Sequence, residues 1–446
     1  MNLFVLPPET LEAILAQVAS RASLASLARV CQQLRPVVER ILYQSVYLRN
    51  HDGEKFAYAL DCLPARAEYV QELLVHYHFV GVPDEEEYYP CYAESLAPTI
   101  GRLVNLRSLV IKGLEYDTER EEDDEYLGGY ERVIEETKKW NELFAQSAVP
   151  GSQVLQSLTK CQLIMDDLSR SEPPWDFRLR GTVMIHPYLK DLTLVGANVS
   201  GLADSLMASA RSTSLENLSL FGCDAALRGI HDLLSLPRAL KHFTYKGAPW
   251  THRPYNVMED RQKCIDAMKV QAHSLLTLDL DFYPGVWDNP ALDFRAFRCL
   301  EQLTVDPRAL RGDGKFDPKN NNEACLWKSR ELECQLPSSI KHLVFFEYHE
   351  QSTPDLYTLP LVYNWISRGS LLNLETVTVQ SARSSEDAIL NSPFGDNSRR
   401  SVGQAFQEVG VQLRVERVLD STKAGYQLFD CSSCGVSWRI RGIHFL

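Results

Sequence analysis

The residues with the clearest capacity for chemistry are two cysteines near the C-terminal end, Cys431 and Cys434. Cysteines at this spacing occur in zinc sites and in redox-active thiol pairs. A structural zinc ion needs four ligands, and His444 is the one further candidate nearby. A redox pair would need a helix N-terminus in a βαβ unit. The chain also lacks a phosphate-binding loop and the common hydrolase motifs. The sequence therefore predicts a protein that is not an enzyme, with no metal site and no cofactor.

Aromatic residues are the second group with functional potential, because they follow directly after short apolar motifs that are typical of strands. If the strands are parallel, their C-terminal ends share one edge of the sheet, and the rings form a rim there. Aromatic side chains dominate the binding energy of many protein interfaces. The alternative is that these rings fill gaps in the core. The predicted substrate-binding rim consists of Tyr245, Trp250, Phe282, Tyr283, Trp287 and Tyr348.

The strand motif has apolar residues at its first, fourth and sixth positions and recurs at steps of 25 to 52 residues. The shortest steps resemble those of leucine-rich repeats, whose strand reads L-x-x-L-x-L. A weaker copy is formed by Leu413 and Val415. The motif occurs at Val70-Leu73-Val75, Leu106-Leu109-Ile111, Leu158-Cys161-Leu163, Leu189-Leu192-Leu194, Leu215-Leu218-Leu220, Leu240-Phe243-Tyr245, Leu275-Leu278-Leu280, Leu300-Leu303-Val305, Ile340-Leu343-Phe345 and Leu374-Val377-Val379.

This pattern predicts strands that alternate with helices and stack into an irregular solenoid with a curved parallel sheet. Helices are expected within residues 201–210, 230–236 and 258–270, where apolar residues recur at helical spacing. Glycine replaces the asparagine that strict leucine-rich repeats carry after the strand. The alternative is an irregular α/β domain with several leucine-rich strands. The strand residues expected to point away from the leucines are Thr193, Ser219, Thr244, Asp279, Thr304 and Thr378.

The first fifty residues predict three short helices. Pro8 is suited to the first turn of a helix, Ser23 to an N-cap, and Pro36 to the start of the third helix. So few residues bury little apolar area, and we expect the helices to pack on other parts of the chain or on a partner. The first apolar stripe consists of Leu11, Ile14, Leu15 and Val18.

The order of residues in this segment resembles an F-box of the fungal type. The matching features are Leu6-Pro7-Pro8-Glu9, a central Leu24-x-x-Leu27, Val30-Cys31, and Leu42-Tyr43 followed by Val46 and Leu48. The resemblance implies binding to the Skp adaptor and the cullin scaffold of a ubiquitin ligase. It also implies that the chain recruits a protein substrate and leaves the chemistry to other subunits. The adaptor-binding residues implied by the resemblance are Leu6, Pro7, Glu9, Leu11, Ile14, Leu15, Leu24, Leu27 and Val30.

The predicted organisation is an α/β chain with an F-box at residues 1–48, a leucine-rich-repeat-like body at 49–420 and a C-terminal cap or tail at 421–446. Insertions are predicted at about 115–150, 306–336 and 381–402. Residues 115–136 contain eleven acidic residues, which indicates a solvated loop or a contact with a basic partner. The predicted function is the substrate-recognition subunit of an SCF-type ubiquitin ligase. The alternatives are a scaffold that binds partners without ubiquitination and a repeat protein whose first helices serve only as a cap.

Bulk composition limits the possible partners and compartments. The chain has 446 residues and a net charge of −13, which disfavours general binding to nucleic acid. It contains no long apolar run typical of a membrane span and no signal-peptide pattern at its start. Eleven cysteines without framework spacing suit free thiols in a reducing compartment. We therefore expect a cytoplasmic or nuclear protein that binds neither nucleic acid nor membranes.

Overall fold

The computed structural model describes residues 6–18, 20–49, 52–77, 96–113, 127–165, 175–247, 261–282, 291–311, 333–346, 358–381, 385–394, 397–417, 430–431 and 436–437. Within these ranges the protein is α/β and contains a twelve-stranded parallel sheet whose strands follow the order of the chain. The chain divides into two compact units, one mainly of Met1–Ala225 and the other mainly of Arg253–Leu446 with Ala226–Leu234 and Ala239–Pro249.

The first unit contains a helical N-terminal segment and six strands of the sheet. Short 3₁₀ helices cover Pro64–Glu68 and Thr182–Ile185. Its helices are α1 (Pro8–Ala16), α2 (Arg21–Val30), α3 (Arg35–Gln44), α4 (Asp52–Cys62), α5 (Ala97–Ile100), α6 (Leu127–Ser147), α7 (Phe177–Arg180) and α8 (Asp204–Met207). Its strands are β1 (Ser45–Arg49), β2 (Glu72–His76), β3 (Ser108–Lys112), β4 (Lys160–Ile164), β5 (Asp191–Val195) and β6 (Asn217–Phe221).

The second unit contains the remaining strands of the sheet and two separate pairs of short strands. A 3₁₀ turn covers Lys269–Gln271. The helices are α9 (Leu227–Ser235), α10 (Arg261–Met268), α11 (Arg308–Arg311), α12 (Thr358–Ser367), α13 (Glu386–Leu390) and α14 (Val402–Glu408). The strands are β7 (His242–Lys246), β8 (Thr277–Asp281), β9 (Gln302–Val305), β10 (His342–Phe346), β11 (Thr376–Ser381), β12 (Pro393–Phe394), β13 (Asn397–Ser401), β14 (Gln412–Arg417), β15 (Asp430–Cys431) and β16 (Val436–Ser437).

The predicted strand motifs coincide with strands β2 to β11, and the weak copy coincides with β14. The register of neighbouring strands places equivalent motif positions side by side, so that Leu192 lies between Cys161 and Leu218. Successive side chains of a strand point to opposite faces, and the fourth and sixth motif positions therefore share one face. We call this face, which carries Leu192 and its equivalents, the leucine face, and the other side of the sheet the opposite face. Leu192, Leu218 and Leu303 are all buried.

A repeated hydrogen-bond pattern fixes where each strand begins. The carbonyl oxygen of Thr159, one residue before β4, accepts the backbone N–H groups of both Lys190 and Asp191 at the start of β5, at 2.8 and 3.0 Å. The carbonyl oxygen of Lys341, before β10, accepts those of Glu375 and Thr376 at 2.8 and 3.1 Å. Each strand start is therefore positioned by the residue before its neighbour.

The turns after the strands explain why glycine stands in place of asparagine. Gly196 and Gly222 have φ values of 70° and 58°, in the left-handed region where a side chain is unfavourable. The Gly196 N–H donates to the carbonyl oxygen of Phe221 at 2.9 Å. The turn after β5 is thus held against the end of β6.

The three N-terminal helices form where the sequence predicts them, with one difference in capping. Pro8 begins α1, and Pro36 lies in the first turn of α3. The N-cap of α2 is Ser20, not Ser23, because the backbone N–H of Ser23 donates to the Ser20 hydroxyl at 3.2 Å. The helices enclose a small core of Leu11, Leu15, Leu24, Leu34 and Val38.

The boundary predicted at residue 48 falls inside a strand. Helix α3 ends at Gln44, and β1 begins at the next residue and pairs in parallel with β2. The segment assigned by sequence to the end of the helical module thus forms the first strand of the sheet. Val46 and Leu48 lie beside Leu73 and Val75 of β2. Together with Tyr43 they have the spacing of the strand motif, but the resemblance to the end of an F-box assigned them to the helical module.

All three predicted insertions contain regular structure, and the one at 306–336 contains α11. Residues Leu127–Ser147, expected to belong to an insertion, form α6, in which Trp140 and Phe144 are fully buried. The Trp140 indole donates to the Tyr77 hydroxyl at 2.9 Å, and this hydroxyl donates to Glu136 at 2.8 Å. Residues 381–402 contain α13 and the β12–β13 pair. Residues 115–126 and 312–332 lie outside the described ranges.

None of the helices in the described ranges has the length and apolar character needed to cross a membrane.

Candidate functional site

The implied adaptor-binding residues divide into buried and accessible groups. Leu11, Leu15 and Leu24 lie in the core of the three helices, and Leu27 packs against that core. Among the accessible residues, Ile14 on α1 and Val30 on α2 are apolar and are 45% and 80% exposed. Leu6 is partly exposed, and Pro7 and Glu9 are exposed.

A cluster around Glu39 joins the N-terminal helices to the segment that follows α4. Arg66 donates to the Glu39 carboxylate at 2.7 Å and to the carbonyl oxygen of Ala59 at 2.8 Å. Arg35 donates to the same carboxylate at 3.0 Å, and the Arg66 guanidinium lies 5.2 Å from the Tyr43 ring centre. These contacts hold α3 directly against the 3₁₀ helix that follows α4.

Opposing effects set the protonation of Glu39. Burial raises the pKa of its carboxyl group, but the hydrogen bonds and positive charges of Arg66 and Arg35 together outweigh burial. The pKa of Glu39 therefore lies below its usual value, and the carboxylate is ionised at neutral pH. Removing either arginine would leave a buried negative charge with fewer partners.

The predicted outward-facing strand residues alternate with the leucines as expected from strand geometry. In the second unit, Thr244 pairs in register with Asp279, and Asp279 with Thr304. Lys246 donates to the Asp279 carboxylate at 3.0 Å. His342 Nδ1 lies 2.9 Å from the Thr376 hydroxyl. On this side of the second unit, Thr244 and Asp279 are partly exposed, whereas Thr304 and Thr378, also predicted to point away from the leucines, are buried.

The opposite face of the first unit differs because it is largely buried between β3 and β6. Val110, Gln162, Ile164, Val195 and Phe221 all point to this face and are buried. Thr193 and Ser219, both predicted to face outward, are partly exposed. Accessible polar side chains therefore occur on this side of both units, and the first unit adds buried apolar side chains.

The described members of the predicted aromatic rim are core residues. Tyr245 and Phe282 are buried, with ring centres 5.9 Å apart. Tyr245 is the sixth residue of its motif and therefore points to the leucine face. That position in the sequence already predicted burial for Tyr245. Trp250, Tyr283, Trp287 and Tyr348 lie outside the described residues.

The structure contains a recurring turn with the sequence Asp-x-Arg, which sequence reasoning did not predict. In Asp306-Pro307-Arg308 the aspartate accepts the backbone N–H of Arg308 at 2.8 Å and two guanidinium hydrogen bonds, and both charged side chains are buried. The sequence Asp-Phe-Arg forms the same turn at residues 176–178 and 293–295. Its phenylalanines, Phe177 and Phe294, are fully buried. The repetition of Asp-Phe-Arg in the sequence is the signal that could have revealed this turn.

The buried thiols are poor candidates for chemistry. Burial raises the pKa of Cys223 to about 12 and also raises the pKa values of Cys161 and Cys264. Since the thiolate is the reactive form, these cysteines are unreactive at neutral pH. No group of three or more histidine, cysteine or acidic residues suited to a metal ion occurs within the described ranges. The side chains of Cys431, Cys434 and His444 lie outside what is described.

A comparison with protein-family models gives no match for this chain, and a comparison with curated proteins gives no significant match.

Proposed function

We propose that this chain is an F-box protein with a leucine-rich-repeat-like body and acts as the substrate-recognition subunit of an SCF-type ubiquitin ligase. The observation that carries the proposal is the order of residues in the first 48 positions, which resembles an F-box. Three helices with accessible apolar side chains at Ile14 and Val30 support it. The chain would bring its substrate close to the ubiquitin-charged enzyme, and proximity would be its contribution to the reaction.

The body is proposed to be an irregular solenoid in which each repeat supplies one strand of the parallel sheet. The strand motif and the side-by-side register of its leucines support this interpretation. In such an array, each repeat buries its apolar face against its neighbours. The connections between strands range from a single helical turn to the 21-residue helix α6, which accounts for the uneven steps between motifs.

The adaptor-binding part of the proposal is tested by affinity purification under proteasome inhibition. Replacing Leu6 and Pro7 by alanine should abolish capture of the Skp adaptor and the cullin, since both residues are accessible and outside the helical core. Leu372→Ala is a matched control, because Leu372 is an apolar residue in the body with 84% of its surface exposed. Undiminished adaptor capture by the double variant would contradict the proposal. Capture of the adaptor without cullin would favour the non-ubiquitinating scaffold.

The substrate is proposed to bind the opposite face of the second unit. Partly exposed polar side chains on neighbouring strands, such as Thr244 and Asp279, suit recognition of a protein segment. Thr244→Arg would place a long charged side chain in the middle of this face, and we expect loss of substrate capture with adaptor capture unchanged. Thr193→Arg is the matched control at the same strand position in the first unit. Equal substrate capture by all three proteins would contradict this assignment.

A cap for the repeat array is the second candidate function of the N-terminal helices. The buried Glu39–Arg66 ion pair favours it, because the pair joins the helices to the body as a cap would require. The two functions are separable in the same purification. A chain that captures neither adaptor nor cullin, but loses stability when residues 1–48 are removed, has helices that serve only as a cap.

A further inference from the structure

Strand β14 is the last strand of the sheet, and its outer edge has no strand partner within the described residues. On its inner side it pairs in parallel with β11, with Thr376 beside Gln412 and Thr378 beside Arg414. The Gln412 N–H donates to the carbonyl oxygen of Glu375 at 2.9 Å. An edge of this kind presents unpaired backbone groups to any strand that fits it.

The direction of the Gln412 N–H determines which backbone groups are available at the outer edge. Backbone hydrogen-bonding groups alternate between the two sides of a strand. Gln412, Arg414 and Glu416 therefore direct their N–H and C=O groups towards β11. The backbone groups of Leu413, Val415 and Arg417 point outward.

The exposed side chains of β14 carry opposite charges two residues apart. Arg414 and Glu416 are exposed and lie on the opposite face of the sheet. Arg414 donates to Gln412 at 2.7 Å, and Glu416 accepts from Gln380 at 3.1 Å. Both charged side chains remain exposed despite these contacts.

We propose that β14 pairs antiparallel with β14 of a second copy of this chain, with Val415 at the two-fold axis. Val415 would then lie opposite Val415, and Leu413 opposite Arg417, in each case as a hydrogen-bonded pair. All the outward-pointing backbone groups of the strand would be satisfied by about six hydrogen bonds. A two-fold contact of this type uses the same surface of both copies.

Charge selects this register over its neighbours. With Val415 on the axis, Arg414 of each copy faces Glu416 of the other, so that two opposite-charge pairs form across the junction. Sliding the strands by one hydrogen-bonding step in either direction would place Arg414 opposite Arg414 or Glu416 opposite Glu416. Like charges directly opposite each other on neighbouring strands are destabilising. The Val415-centred register is therefore the complementary one.

Sedimentation velocity of the full chain over a range of concentrations tests the proposal. We expect a reversible equilibrium between monomer and dimer. Arg414→Glu or Glu416→Arg alone should raise the dissociation constant by about tenfold or more, because two attractive pairs become repulsive. The double variant restores opposite charges across the axis and should recover dimerisation. Thermal unfolding of each variant checks that the fold is retained.

Val415→Pro provides a second variant that keeps the pairing with β11. The Val415 N–H points outward, and proline at this position removes no hydrogen bond to β11. We expect a folded monomer. Arg414→Pro is the matched control, because it removes an inward N–H and should lower stability.

Three outcomes would overturn the proposal. One is a wild-type chain that stays monomeric at every concentration. Another is a charge-reversed double variant that fails to recover dimerisation. The third is hydrogen-exchange protection of the Leu413, Val415 and Arg417 amides in the monomer, which would show that another segment of the same chain occupies the edge.

Discussion

Equivalent strand ends carry different side chains in the two units. On the opposite face of the first unit these positions hold Ile164, Val195 and Phe221, all of them buried. In the second unit, Lys246 and Asp281 stand at the corresponding positions and are partly exposed. The backbone geometry is the same in both, with parallel strands of four to six residues. Side-chain choice at the last strand position therefore separates a closed face on β4 to β6 from an open one on β7 and β8, although Asp306 directly after β9 is buried.

The sequence contains a signal for this difference. Strands buried on both faces read as continuous apolar runs, whereas strands with one solvated face alternate. Strand β3 reads Ser-Leu-Val-Ile-Lys, with three consecutive apolar residues, and β8 reads Thr-Leu-Asp-Leu-Asp. Both fit the same leucine motif. The residues between and after the motif leucines thus separate these two strands, whereas β10 in the second unit reads His-Leu-Val-Phe-Phe and its Val344 and Phe346 are still partly exposed.

The largest effects are expected on the leucine face, where the two units should respond alike. Leu192→Ala in the first unit and Leu303→Ala in the second should each lower the free energy of unfolding by about 2–5 kcal/mol, because both leave a cavity among close-packed side chains. Denaturant unfolding measures the change. A much smaller effect in one unit would mean that its leucine face is loosely packed.

The opposite face should respond differently in the two units. Ile164→Ala should cost about 2–5 kcal/mol, since Ile164 is fully buried. Val344→Ala, at a partly exposed position on the same face of β10, should cost less than about 1 kcal/mol. Chemical denaturation followed by hydrogen exchange on peptides from each unit distinguishes the two. Equal costs would remove the distinction between a closed and an open face.

Acid should weaken the first unit through His186. Burial lowers the pKa of His186 to about 4, although the hydrogen bond to the Leu155 carbonyl oxygen acts in the other direction. Its Nδ1 accepts the Tyr188 N–H at 3.3 Å, so the proton of the neutral ring lies on Nε2. In the unfolded chain the side chain takes up a proton near pH 6.5. The unfolded state therefore binds more protons between about pH 6.5 and 4, and stability falls as the pH is lowered through this window.

The expected loss is about 3 kcal/mol across that window, from about 1.4 kcal/mol for each unit of pKa. Unfolding curves at pH 7 and pH 4.5 measure it. His186→Gln should flatten this part of the pH dependence, although it lowers stability at neutral pH. An unchanged pH profile in the variant would show that other groups cause the acid sensitivity.

The smallest effect is expected for the ion pair on the open face. Lys246→Met should change the free energy of unfolding by about 1 kcal/mol or less, because the pair with Asp279 is partly solvated. The same substitution should alter substrate capture if this face is the binding surface. Added salt should weaken the contribution of the pair in the wild type. A loss of several kcal/mol in the free energy of unfolding would show that Lys246 and Asp279 are shielded from solvent.

The strands could be predicted from sequence because the first, fourth and sixth residues of the motif are apolar and buried, and this spacing recurs from strand to strand. Helix α6 could not be predicted in this way, since its buried residues Trp140 and Phe144 follow an acidic stretch that suggests exposure to solvent. Tyr245 was assigned to the rim although its motif position places it inside. The cluster of Glu39 and Arg66 joins residues 27 positions apart through tertiary contacts alone, and no local pattern signals it.

The paired hydrogen bonds before each strand have a consequence for how this chain tolerates changes in length. Because the first residues of β5 both depend on the Thr159 carbonyl oxygen, a residue inserted there would shift the strand and turn its leucines to the other face. After a strand, one hydrogen bond holds the turn, as from the Gly196 N–H to the Phe221 carbonyl oxygen, and added segments can begin beyond it. The steps between motifs vary twofold while the strand starts keep one geometry. We therefore expect an inserted segment to be tolerated beyond the turn after a strand and not directly before a strand.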